Sequence, residues 1–161
     1  MNVKRLDEET VGLMGLDCIF CELLHQIVLS ADPGDDPDAR GRIFASPTDG
    51  KEPEFDAEWR SYVEPGLREL FQSHLDVVAR DLRALPRTPK EEPSMLAIPV
   101  AHLDHWLGAL NQARLALSSR YHLEEADLES IPAINDERGL VLFQVHLYGF
   151  LQECFLREMG H

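Results

Sequence analysis

Large apolar residues recur every three or four positions through several long segments of this chain, and that spacing constrains its fold more than any other feature. Leu16, Ile19, Phe20, Leu23, Leu24, Ile27 and Val28 make one broad stripe at the helical period. They predict a helix from Glu8 to Ser30, wide enough in its apolar face to pack centrally. Leu67, Leu70, Phe71, His74, Leu75, Val78, Leu82 and Leu85 predict a second, from Pro65 to Leu85, with Pro65 in the first turn, where its missing N–H has no partner to lose. Leu103, Trp106, Leu107, Leu110 and Leu117 predict a third over Ala101–Tyr121. Leu140, Phe143, Leu147, Phe150, Leu151, Cys154 and Phe155 predict a fourth over Asp136–Met159. A shorter helix through Trp59 and Tyr62, with Asp56 as its N-cap, completes the set.

Residues 31–54 are rich in Pro, Gly and Asp and read as a long loop, pinned to the body by Arg42-Ile43-Phe44. Pro86, Pro89 and Pro93 stop the second long helix and open a stiff connection over 86–100. Within it Met95–Val100 is apolar but isolated, so any extended structure there is minor. Leu123–Asn135 is a polar connection with one helical turn near Glu125. No repeat and no change of composition divides the chain. The expectation is a single all-α domain over 1–161, a bundle of about five helices with a long loop after the first.

Charge narrows the partners. Fifteen Lys and Arg stand against 29 Asp and Glu, a formal charge of −14, and such a field repels phosphate backbones and anionic lipid. Nucleic acid and membrane are therefore not expected as partners. No apolar run approaches the ~20 residues of a transmembrane helix, and the first residues lack the apolar core of a signal peptide. Three cysteines, an odd number, do not suit a secreted disulfide framework. These features predict a cytoplasmic protein.

Asp17-Cys18-Ile-Phe-Cys21-Glu22-Leu-Leu-His25 is the densest group of potential metal ligands. Cys18, Cys21 and His25 share one helical face, but a closed zinc site wants a fourth donor and a di-iron site wants a second Glu-x-x-His. A thioredoxin-like reading of Cys18 and Cys21 needs the pair at a helix N-terminus, whereas the predicted helix places it mid-helix. His102 and His105 lie one turn apart on a polar face and read as solvated surface, and His74 reads as a core histidine with a hydrogen-bond partner. The aspartates from Asp32 to Asp38 do not fit a calcium loop, because Arg40 and Pro47 fall where ligands are required. The chain has no Gly-x-Ser-x-Gly elbow, phosphate-binding glycine loop or His-Glu-x-x-His helix. Its residues thus nominate no catalytic group and no cofactor; the competing reading is a metal- or small-ligand-binding protein using Cys18, Cys21, Glu22 and His25.

Arg114 is the unusual residue. Helical phase puts it within the Leu103–Leu110 stripe with Asn111 at the edge. A buried guanidinium needs a carboxylate and further acceptors, so an inter-helix network is expected in which Arg114 meets Glu153, completed by Asn111 and Gln152 and flanked by Trp106 and Tyr148. Its role is to fix the register of two helices or, if it opens to a groove, to bind a peptide or small anion.

The same residues carry a resemblance. Trp106-Leu-x-Ala-Leu-Asn111-x-x-Arg114-Leu-x-Leu and Tyr148-Gly-Phe-Leu-Gln152-Glu153 resemble the two signature blocks of the domain-of-unknown-function family numbered two thousand and seventeen. Arg42-Ile-Phe44, Glu58-Trp-Arg60 and Glu64-Pro-Gly-Leu-Arg68 fit more loosely. The resemblance implies an all-helical bacterial protein, mostly actinobacterial, without established activity and often encoded beside the ClpS adaptor of the Clp protease. It implies a regulatory or adaptor task acting through protein contacts, with a homodimer among the options. Some members of that family are labelled transcriptional regulators, a role that the acidity of this chain opposes.

Overall fold

The computed structural model describes residues 1–88, 91–130 and 133–160. Pro89, one of the three prolines expected to stiffen the connection, lies outside them.

The chain opens with two strands where the first helix was expected to begin. Strand β1 (Asn2–Arg5) pairs antiparallel with β2 (Thr10–Leu16), and β2 pairs antiparallel with β3 (Ser94–Pro99), giving the order β1-β2-β3. Val11 faces Ile98 and Leu13 faces Leu96 across the β2–β3 pair, and all four are fully or almost fully buried. Such apolar cross-strand pairs are what hold a sheet in register. The register shifts between Leu13 and Leu16, where Gly15 takes a positive φ of 68° that a side chain would strain. Strict alternation would turn Leu16 outward; the irregularity returns it to the core. The chain is therefore mixed α/β, not an all-α bundle, and Met95–Val100 is no isolated stretch, because most of it is a sheet edge.

Helix α1 (Cys18–Ala31) starts ten residues later than the apolar stripe suggested, and Asp17 is its N-cap, accepting from the Ile19 and Phe20 amides at 3.0 and 2.9 Å. The expected loop over 31–54 holds a helix, α2 (Pro37–Ile43). Asp36 caps it and Pro37 sits in its first turn. Ala39 and Ile43 bury against Ala116, and Phe44 stacks on Phe71 with ring centroids 5.4 Å apart. Helix α3 (Pro53–Tyr62) contains Asp56 rather than being capped by it. That carboxylate is buried and accepts from the Thr48 amide and hydroxyl and the Gly50 amide, clamping the preceding loop. The Ser46 hydroxyl first, then these Thr48 and Gly50 donors, hold it below the usual carboxylate range despite its burial.

Helix α4 (Glu64–Leu82) is followed, after β3 and a one-turn 3-10 helix (Val100–His102), by α5 (Leu103–Arg120), then a second 3-10 turn (Glu125–Leu128) and α6 (Glu137–Glu158). Four residues expected on apolar packing faces are exposed, namely Ile19, Leu70, Leu140 and Phe150. Helix α5 is the axle of the fold, packing against α1, α2, α4 and α6. Its Ala109, Ala113 and Ala116 are fully buried, so neighbouring helices approach its backbone closely. One core joins β2 and β3 to α1, α4, α5 and α6. Helix α6 is the one described helix long and apolar enough to span a bilayer, with a mean hydropathy of 1.2, but half of that stretch is buried within the fold. At the far end, Arg5 donates to the Asp7, Glu8 and Glu158 carbonyls, fastening β1 to the last turn of α6.

Candidate functional site

The seam between α5 and α6 carries the polar residues singled out by sequence, but they divide differently from the expectation. Arg114 lies partly buried between the helices, and its Nη1 donates to Gln152 Oε1 at 2.6 Å. Gln152 in turn donates to the Leu107 carbonyl at 3.3 Å. The guanidinium rests over Gly149, its central carbon 3.5 Å from where a Cβ would stand. Glu153, the expected partner, faces solvent, as does Asn111, and no ion pair joins Arg114 to any carboxylate among the described residues. The Arg114–Glu153 pairing is thus replaced by an arginine–amide bond. The reason is one of phase: Gln152 points into the seam and Glu153, one residue on, points away.

This leaves an uncompensated positive charge in a chain of formal charge −14. The Arg114 Nε is also buried without an acceptor, a state that costs about 1–3 kcal/mol unless something supplies one. Elsewhere on the surface of α6, Phe150 and Leu156 are 46% and 40% exposed. Helices α5 and α6 together thus present a partly buried cation, exposed amide and carboxylate groups, and two exposed apolar side chains.

Tyr148 and Trp106 belong to separate buried networks that hold the seam's shape. Tyr148 is fully buried; its hydroxyl donates to the Leu23 carbonyl at 2.6 Å and accepts from Gln144 Nε2 at 2.7 Å. Burial drives that phenol far above its ordinary range. Gln144 also reaches Ser30, so α6 and α1 are tied by polar groups that a purely apolar reading of α6 does not reveal. Trp106 is also fully buried and donates through Nε1 to Asp81 Oδ2 at 2.8 Å, while His102 Nδ1 lies 3.0 Å from the same carboxylate. His74 Nδ1 meets His105 Nδ1 at 3.1 Å. His102 and His105 are thus not merely solvated surface, since both bridge α5 and its leading turn to α4. Burial first, and the neighbouring His105 second, lower the His74 pKa, against the pull of Asp104.

The first-helix cluster does not converge. His25 is buried with Nε2 3.1 Å from the Leu85 carbonyl. Glu22 accepts from Gln26 on the surface. Cys18 is exposed while Cys21 is buried. No group of three or more His, Cys, Asp or Glu side chains is placed to hold a metal among the described residues.

No curated protein and no solved structure shows significant similarity to the chain. A family match extends over residues 5–159, nearly the full length, and therefore includes both faces of the α5–α6 seam. The chain belongs to the family described as a domain of unknown function, DUF2017.

Proposed function

We propose that this protein is a non-enzymatic regulatory or adaptor protein that works in the cytoplasm by docking another protein on the α5–α6 face, within Clp-dependent protein turnover. The observation that carries the reading is Arg114: a guanidinium with no carboxylate partner among the described residues and a buried Nε with no acceptor, on a pair of helices that also exposes Phe150 and Leu156. An arriving carboxylate pairs with the partly buried guanidinium, and apolar side chains of the partner cover Phe150 or Leu156; arginine and apolar anchors of this kind carry much of the energy of an interface. The Clp link rests on the gene neighbourhood that the family resemblance implies, and the protein-contact role on the geometry of this face.

The test is a reconstituted degradation assay containing the Clp protease, its ClpS adaptor and a ClpS-dependent substrate. Added wild-type protein is expected to change the degradation rate. Arg114→Met and Phe150→Ser are expected to abolish the effect while retaining the wild-type melting temperature. A rate indifferent to the wild-type protein removes the Clp assignment. A second copy of the chain is the other possible occupant; dimerisation in sedimentation that Phe150→Ser abolishes identifies this face as a homodimer surface.

A further inference from the structure

The late start of α1 changes what its two cysteines can do. Cys18 is the first residue of the helix and Cys21 the fourth, directly after the Asp17 cap. Three residues of α-helix separate their Cα atoms by roughly 5 Å, inside the span of a disulfide. In mid-helix the rotamer that would swing one thiol toward the next turn is blocked by the turn before it. At the first position there is no preceding turn, and Cys18 is free to take it. Cys18 is exposed, Cys21 is 8% exposed, and both border the same cleft, closed on its far side by Arg87, Thr88 and Ser94.

The geometry points to Cys18 and Cys21 as a site of reversible thiol–disulfide exchange with low-molecular-weight disulfides. The labour divides by exposure. Cys18 is the thiol that a reagent in solution meets. Cys21 is held at the cleft floor, its Sγ 3.7 Å from the Leu16 carbonyl. Burial pushes its thiol pKa up, with the Ser94 hydroxyl acting the other way, so it waits in the protonated form. The Cys18 thiolate attacks one sulfur of R–S–S–R, that S–S bond breaks, and RS⁻ leaves and takes up the Cys18 proton from solvent. The Cys21 sulfur, giving up its proton, then attacks the Cys18 sulfur of the mixed disulfide and expels the second RS⁻, which that proton neutralises. Two electrons pass from the protein dithiol to the reagent, leaving a Cys18–Cys21 bond and two R–SH. Excess thiol runs the sequence backward.

The experiment equilibrates the full chain in glutathione buffers of graded thiol-to-disulfide ratio, quenches with acid, alkylates the free thiols and maps the peptides by mass. The expected product is an internal Cys18–Cys21 bond that rises and falls reversibly with the ratio, with Cys154 alkylated throughout. Cys21→Ser is expected to stop at a glutathione adduct on Cys18. Cys18→Ser, a change at an exposed position that leaves the core intact, is expected to lose both products. A stable Cys18 adduct in the wild type that never resolves would overturn the proposal. So would a bond to Cys154 or between two copies, or a pair still reduced in the most oxidising buffer.

Discussion

Two glycines in the helices of the seam predict opposite outcomes for the same substitution. A Cβ on Gly108 would collide with the His74 ring, whereas one on Gly149 would meet the Arg114 guanidinium at ordinary van der Waals distance. Gly108→Ala is therefore expected to destabilise by about 1–3 kcal/mol, as overpacked cores do. Gly149→Ala is expected to be neutral or to stabilise by up to about 1 kcal/mol through helix propensity. Thermal unfolding of the two variants side by side checks this, and equal losses would refute it. Tyr148→Phe removes the buried tie between the Leu23 carbonyl and the Gln144 amide, which keeps Ser30 as an acceptor. It is expected to cost about 1–3 kcal/mol in denaturant unfolding, although Phe is the more apolar residue. Sequence marked Arg114 as out of place in an apolar stripe, which is why it was visible, and Gln152 and Tyr148 only as polar neighbours offered by the last helix. It did not reveal which partner each takes. Glu153 and Gln152 are adjacent, and a phase error of one residue exchanges a salt bridge for an amide bond. Asp81 and Gln144 were missed because a single polar residue on a helix is ordinary until its buried partner is known.

Among whole elements, the four long helices were legible because an amphipathic stripe is a local signal. The sheet was not. Strand β3 pairs with β2 far back along the chain, and no window around Met95–Val100 contains that information. Strand β2 was hidden for a second reason: its irregular end puts Leu16 at a spacing that continues into the α1 stripe, so strand and helix read as one helix. The error displaced the start of α1 and with it the two cysteines. Helix α2 was masked by the Pro, Gly and Asp content of its surroundings, although Asp36-Pro37 is itself a helix-start signal.

The packing of α4 on α5 also predicts a pH response. The His74 pKa is lowered from its ordinary 6.5, so just below that value the unfolded chain takes up a proton that the folded chain refuses. Stability then rises with pH across the window between the two pKa values and is lost as pH falls through it. The groups facing His74 are His105 and Asp104. Melting temperatures measured from about pH 7.5 down to about pH 5.5 are expected to decline for the wild type and to decline less for His74→Asn. Parallel curves for the two would exclude His74 as the source.

At the level of the whole molecule, sheet and helices share one core, and Val11, Leu13, Leu96 and Ile98 are as buried as the centre of α5. Native-state hydrogen exchange is accordingly expected to protect the β2 amides to the same degree as those of mid-α5, both opening only with global unfolding. A sheet that exchanges as fast as a fraying terminus would mean that the helices fold without it.

The clasp of Arg5 on the Glu158 carbonyl brings the beginning and the end of the described fold to one pole, so the polypeptide traces a nearly closed circuit. Added residues could weld that circuit, and the chain could then be cut at an exposed turn that no buried side chain clamps without altering which surfaces meet. A circular permutant of this kind would leave the α5–α6 seam and the α1 dithiol in place while moving both ends to the opposite side of the order in which the protein is made.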